Sequence, residues 1–284
     1  MRVRAFAKIN RSLRVLGTRA DGYHELRTMF QSIGLHDTLT IRAVRGPFRL
    51  TCDDPACPTD GTNLIAKAAA AMWTAAGRRG APRDVAIDLR KRIPMQAGLG
   101  GGSSDAAAAL RALAKRWRVA DVKVRAAAAA LGADVPYFFE GGAALGVERG
   151  DLLFPLVDPP RAWVALVLPD FGVSTKEAFA WFDATSGGAN PRVRPKGDSL
   201  ARELLNDLEA PVVARHPEIG RIISALRRAG ATQAAMSGSG SAVFGLFSSR
   251  PAAIRAAAGL ASASRRTLVT RTLNRQTYQT LAAT

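Results

Sequence analysis

The sequence predicts an α+β fold in two domains. Short stretches with a period of two stand among Ala-rich helical stretches without a regular β-α-β order. A Pro cluster at 155, 159 and 160 marks a break near residues 150 to 160, taken as 1–155 and 156–284. The elements follow in order. Residues 1 to 7 and 38 to 44 alternate as strands, and a loop with Asp21-Gly22-Tyr23-His24 is expected between them. Asn63 to Ala76 is a helix, stopped by Gly77 with Arg78 and Arg79 behind it. Val85 to Lys91 is a strand ended by Pro94; helices follow from Ser103 to Trp117 and from Val122 to Leu131. Strands are expected at Ala143 to Val147 and Ala162 to Leu168, and residues 184 to 198, rich in Gly, Pro and polar side chains, read as a mobile loop. Helices at Ser199 to Glu209, at Glu218 to Ala229 and from Pro251 frame strands ending near Met236, at Ala242 to Phe247 and at Thr267 to Thr272.

Composition narrows the function classes. The chain has 284 residues with 48% apolar and 22% charged side chains, enough to bury a core, so overall disorder is excluded. Its longest uninterrupted apolar run, Ala162 to Leu168, is far shorter than the roughly 20 residues a membrane-spanning helix needs. The start, Met1 to Ala7, lacks the apolar core of a signal peptide, and a cytoplasmic location is expected. Cys52 and Cys57 lack the histidine spacing of a zinc site and read as free thiols in a surface loop.

The net charge is +17, from 40 basic and 23 acidic residues. Arginine supplies 33 of the 40, and arginine grips phosphate well. The charge is dispersed, however, with no run of five like charges, and aromatics make up only 6%. A nucleic-acid-binding arm or stacking platform therefore has little to work with, and a solvated basic surface or a cleft attracting a small polyanion stay open.

Pro94-Met95-Gln96-Ala97-Gly98-Leu99-Gly100-Gly101-Gly102-Ser103-Ser104 follows a strand and opens a helix. Its glycines let the backbone take left-handed angles and approach a ligand, while the helix start aims N–H groups and a positive dipole end at the same space. Ser103 or Ser104 offers a hydroxyl to a phosphate or a phosphate-bound Mg²⁺. No Gly-Lys-Ser/Thr ends the loop, so it is not a Walker A motif, and Ser103 replaces the third glycine of a dinucleotide fingerprint. An ordinary glycine turn is the alternative.

These residues, with Ala7-Lys8-Ile9-Asn10 and Ser237-Gly238-Ser239-Gly240-Ser241, resemble the three motifs of the GHMP kinase superfamily. Arg19 to Leu26, Leu131-Gly132-Ala133-Asp134-Val135-Pro136 and Asn206-Asp207-Leu208-Glu209 resemble one branch of it, which phosphorylates the 2-hydroxyl of 4-diphosphocytidyl-2-C-methyl-D-erythritol in the non-mevalonate route to isoprenoids. The matches run from about residue 5 to 275. The resemblance implies a ribosomal-protein-S5-domain-2-like N-terminal domain, a ferredoxin-like C-terminal domain, and an ATP- and Mg²⁺-dependent kinase. It implies small-molecule partners, no nucleic acid or membrane, and a monomer or weak homodimer.

Residue by residue, the resemblance makes Asp134 the acceptor of the substrate hydroxyl proton and Lys8 its neighbour; by pattern alone they are a turn residue and a strand-edge charge. It gives Pro94 to Ser104 and Asn63 to ATP, though Asn before a helix is commonly an N-cap. It gives Tyr23 and His24 to the cytosine, with Phe179 closing a sandwich from the other face, although Phe179 also fits the apolar face of a helix. Asn10, Thr175, Gly238 and Ser239 fall on the acceptor, the last two in what is otherwise a tight hairpin. Arg11 departs from the pattern, which has an apolar residue there, and no acidic Mg²⁺ ligand can be assigned. A GHMP kinase acting on mevalonate, homoserine or a sugar remains the rival enzyme, and Tyr23-His24 and Phe179 argue against it.

Overall fold

The computed structural model describes residues 1–186 and 205–283. It shows an α+β chain built on two sheets. In the first, β1 (Arg2–Thr18) pairs antiparallel with β2 (His24–Pro47), and the order runs β3 (Arg49–Cys52), β4 (Arg83–Arg90), β2, β5 (Ala143–Glu148), β6 (Leu152–Pro155). β3 alone lies parallel to its neighbour. Helices α1 (Leu64–Ala75), α2 (Gly101–Trp117) and α3 (Asp121–Leu131) cover one face, burying Ile65, Met72, Trp73, Leu110 and Leu113 against Val85, Ile87 and Leu89. The short α4 (Tyr137–Glu140) follows α3.

The second sheet has the order β10 (Arg265–Arg271), β7 (Trp163–Pro169), β9 (Val243–Phe247), β8 (Gln233–Met236), antiparallel throughout. With α5 (Thr175–Ser186), α6 (Glu209–Arg215) and α7 (Pro217–Arg228) after β7, and α8 (Arg250–Ala258) after β9, this is the ferredoxin-like arrangement. The last helix, α9 (Arg275–Ala282), returns to the first sheet, where Tyr278 packs on Phe6. The two sheets share a third apolar core: Ala7, Ile9, Ile33, Ile93 and Leu99 meet Leu166, Ala242 and Phe244. Burial of these side chains fixes the two halves as walls of one cleft.

Three expectations need correcting. Residues 8–18 and 24–37 are strand rather than loop, leaving only a tight turn at 19–23 where Arg19 donates its N–H to the Tyr23 carbonyl (2.7 Å). Ile9 enters the core between the sheets and Leu13 and Val15 enter the core of the second half, so burial on both faces erased the period of two. Glu209 begins a helix instead of ending one, and the expected helix at 199–209 lies mostly outside the described residues, as does the loop from residue 187 on. Cys57 is buried in the first core rather than on a surface loop, and burial, with neighbouring Cys52, pushes its thiol up to about 12.

Candidate active site

A cleft of about 960 Å³ opens where β1, the glycine loop and α5 meet. Its floor is the glycine loop. Gly100, the N-cap of α2, has φ +70°, and a Cβ there would lie 2.8 Å from Phe138 and 3.1 Å from the Lys8 chain. The loop therefore presses on the Lys8 stem at a distance only glycine permits. The first intrahelical bond of α2 is Ser104 N–H to the Gly100 carbonyl (2.9 Å), which leaves the N–H groups of Gly101, Gly102 and Ser103 without a helical acceptor at the cleft floor.

Lys8 and Asp134 meet on this floor. The Lys8 ammonium lies 3.2 Å from the Asp134 carboxylate and donates to Asn10 Oδ1 at 2.5 Å. Lys8 is nearly enclosed (5% side-chain exposure), whereas Asp134 is open at 34%. Asn10 is itself oriented, because its Nδ2 donates to Thr28 Oγ1 (2.7 Å), whose hydroxyl donates to the Ser12 carbonyl (2.7 Å). A buried cation with a fixed acceptor on one side and an accessible carboxylate on the other sets a carboxylate oxygen where it can accept the proton of a bound hydroxyl.

The third motif closes the wall. Ser237 Oγ donates to the Gly98 carbonyl (2.9 Å), and Gly238 and Ser239 line the cleft, with Ser239 Oγ 3.2 Å from Thr175 Oγ1. Asn206-Asp207-Leu208-Glu209 braces this wall from behind. Asn206 Nδ2 donates to the carbonyls of Met236 (2.9 Å) and Gly238 (2.7 Å), Glu209 accepts from Met236 N–H (3.0 Å), and Asp207 accepts from Val15 N–H (3.0 Å).

At the far end, Phe179 stacks on His24 with centroids 4.5 Å apart and planes 17° from parallel. His24 Nε2 lies 2.8 Å from Asp183 Oδ1. Tyr23 is 58% exposed, with the Arg149 guanidinium 5.4 Å from its ring. Phe179 is thus in contact with His24, and Tyr23 is the most exposed ring at this end.

Two expected nucleotide-side residues are turned elsewhere. Asn63 caps α1, accepting from Ile65 N–H (2.8 Å) and donating to the Pro58 carbonyl (2.6 Å), while its neighbour Leu64 lines the cleft. The Ser104 hydroxyl donates to the Phe6 carbonyl (2.7 Å) in a buried position, so Ser103 is the serine whose side chain remains at the cleft.

Sequence models of the GHMP kinases N terminal domain and GHMP kinases C terminal match residues 63–142 and 192–265. A 4-diphosphocytidyl-2-C-methyl-D-erythritol kinase from Moorella thermoacetica is 41% identical across 95% of this chain and 98% of its own. One from Anaeromyxobacter dehalogenans is 45% identical across 88% and 82%. The chain belongs to this family of GHMP kinases. A crystal structure of a 4-(cytidine 5'-diphospho)-2C-methyl-D-erythritol kinase superposes with a TM-score of 0.79 at 36% identity over 96% of this chain and 99% of that one. A homoserine kinase from Cytophaga hutchinsonii shares the fold, with a TM-score of 0.68 at 18% identity over 98% of this chain and 96% of that one.

In this member of the family, sequence reasoning missed a buried ion cluster behind the glycine loop. Lys91 donates to Asp37 (2.5 Å) and Asp105 (2.8 Å), and a Cβ on Gly101 would lie 3.0 Å from the Lys91 nitrogen. Burial opposes the Lys91 charge, but Asp105 and Asp37 outweigh it and raise its pKa. Burial lifts Asp105 to about 7 against the pull of Lys91, with Asp37 adding repulsion. Arg149 and Asp183 were also missed; both line the cleft, and neither sits in a motif that marks it. Among the described residues no helix is long and apolar enough to cross a membrane.

Proposed function

We propose that the protein transfers the γ-phosphoryl group of ATP to the 2-hydroxyl of 4-diphosphocytidyl-2-C-methyl-D-erythritol. The observation that carries this reading is the enclosed Lys8 beside the accessible Asp134, at one end of a cleft whose other end holds Tyr23, His24 and Phe179. Asp134 accepts the hydroxyl proton as the nucleophile forms, and Lys8, 3.2 Å away, orients Asp134 and offsets charge gathering on the moving group. The N–H groups of Gly101 to Ser103 and the α2 dipole receive the nucleotide phosphates, and the third-motif wall at Gly238 and Ser239 orients the acceptor. Tyr23 offers its face to the base.

Magnesium fits the donor set. The Ser103 hydroxyl is at the cleft in the first turn of α2, and a hard cation bound mainly by nucleotide phosphates needs few protein oxygens. Ser103 would hold it, and the ion would supply charge neutralisation for the transferred phosphoryl group. The reading is tested by ADP release with the cytidyl acceptor compared with mevalonate, homoserine and galactose. Preferential turnover of any of the last three refutes it.

A further inference from the structure

We propose that a second cavity, formed by α2, α3 and α4 and sharing no lining residue with the catalytic cleft, binds the diphosphate group of a small molecule. The inference goes beyond the proposed function and does not depend on it.

The cavity, of about 500 Å³, concentrates positive charge. Among the described residues its lining carries four basic side chains, Arg111, Lys115, Arg118 and Arg125, whereas the larger catalytic cleft carries three, Lys8, Arg149 and Lys176. A concave basic site focuses the field and raises the local concentration of anions. Asp121 is the one carboxylate in the lining, and Arg125 takes it at 2.9 Å while holding Glu140 at 3.2 Å. Arg111, Lys115 and Arg118 make no ion pair among the described residues.

Two features show that this row is held against local preference. The three cations recur at spacings of four and three residues, where like charges on a helix repel. The negative end of the α2 dipole favours cations in its last turn, which accounts for Lys115 but not for Arg111, well before the helix end at Trp117. Arg118 is the C-cap of α2 with φ +55°, a left-handed position where glycine is usual. An arginine there carries backbone strain and keeps a guanidinium at the cavity. Guanidinium forks match phosphate oxygens two at a time. The deepest of them is set in place, because Arg111 Nη2 donates to the Phe138 carbonyl (2.5 Å) and its guanidinium lies 4.8 Å from the Phe139 ring centroid. Phe139 is the one aromatic ring in the lining, so the chemistry favours phosphate over a base, and three unpaired cations suit a diphosphate better than a single phosphate. A cavity of this size encloses a small molecule rather than following a nucleic-acid backbone.

Arg118→Gly separates binding from folding. It removes a cation and gives the left-handed C-cap its preferred residue, so the melting temperature should not fall. Titration calorimetry with inorganic diphosphate, without Mg²⁺, should show binding to the wild-type protein. Affinity should weaken about 10-fold in R118G and about 100-fold in the double variant K115Q/R118G, with ADP formation from ATP and the cytidyl acceptor unchanged in both. Diphosphate that entered the catalytic cleft instead would not respond to these substitutions. Equal affinity in the wild type and the double variant therefore overturns the inference, as does an absence of binding to the wild type at millimolar diphosphate. Tighter binding of duplex RNA, or of phosphatidylglycerol vesicles, than of inorganic diphosphate would assign the row to a macromolecular surface and overturn it as well.

Discussion

Gly98→Ala should break the crossing on which the cleft depends. At Gly98 the backbone has φ +72°, and a Cβ built there falls 1.9 Å from the Ser237 carbonyl oxygen. A carbon and a carbonyl oxygen tolerate about 3.3 Å, so one of the two glycine-rich segments must retreat by about 1.4 Å. Neither segment is a flexible side chain. The Gly98 carbonyl accepts from Ser237 Oγ, and the next turn is held by Asn206 through the Gly238 carbonyl. Left-handed strain and overpacking together should cost about 2–5 kcal/mol, which for a chain of this size lowers the melting temperature by on the order of 5–10 °C. A displacement of this size between the glycine loop and the third-motif wall should also lower kcat/KM by about 100-fold. Thermal melts and ADP release assayed well below the melting point separate the two effects. Gly61→Ala is the control, because a Cβ there meets nothing within 4 Å and needs no left-handed backbone. Wild-type melting and kcat/KM in the Gly98→Ala protein would refute the argument that close approach, rather than flexibility, demands this glycine.

Asp134→Asn keeps the shape of the side chain but cannot take a proton, so kcat should fall by about 10²–10⁴-fold, while ATP affinity measured by titration calorimetry stays near wild type; equal loss of both would point to misfolding of the floor. Asp105→Asn tests the buried cluster. Asp105 is lifted to about 7 in the folded protein, against about 3.9 in an unfolded chain, so across that window the folded state binds more protons and stability declines as pH rises. Asn cannot ionise and still accepts from Lys91, so the melting temperature of D105N relative to wild type should increase from about pH 5 to about pH 8, and a difference independent of pH would contradict the buried, destabilised carboxylate.

The parts of the site legible in the sequence are those whose chemistry needs a residue type at a fixed local spacing. The glycine loop is readable because left-handed backbone and close approach at Gly98 and Gly100 leave few other residues possible. Lys8 looks like any strand-edge charge; what sets it apart is the Asp134 carboxylate, brought to 3.2 Å by a loop far along the chain. Lys91 and Asp37 are separated by 54 residues and His24 and Asp183 by 159, and no local pattern announces such pairs. The β1–β2 hairpin was hidden for a different reason. Its middle is buried on both faces by two cores, so the alternation that betrays a half-buried strand is absent.

The surplus of +17 points to electrostatics, yet among the described residues only three Lys or Arg side chains, Lys8, Arg149 and Lys176, line the cleft. Lys8 is paired with Asp134 and Arg149 with Asp151 at 2.5 Å, while the His24 imidazole lies 2.8 Å from Asp183. Pairing fixes the positions of Lys8 and Arg149 and makes them useful for orientation rather than for bulk attraction. On the proposed reading, phosphate is received by neutral backbone N–H donors at the start of α2, set in place by glycines and by Lys91 packed behind Gly101. That division of labour suits phosphoryl transfer. Fixed dipoles need no reorganisation when charge moves from nucleotide to acceptor, whereas an unpaired lysine on a flexible stem would have to follow it.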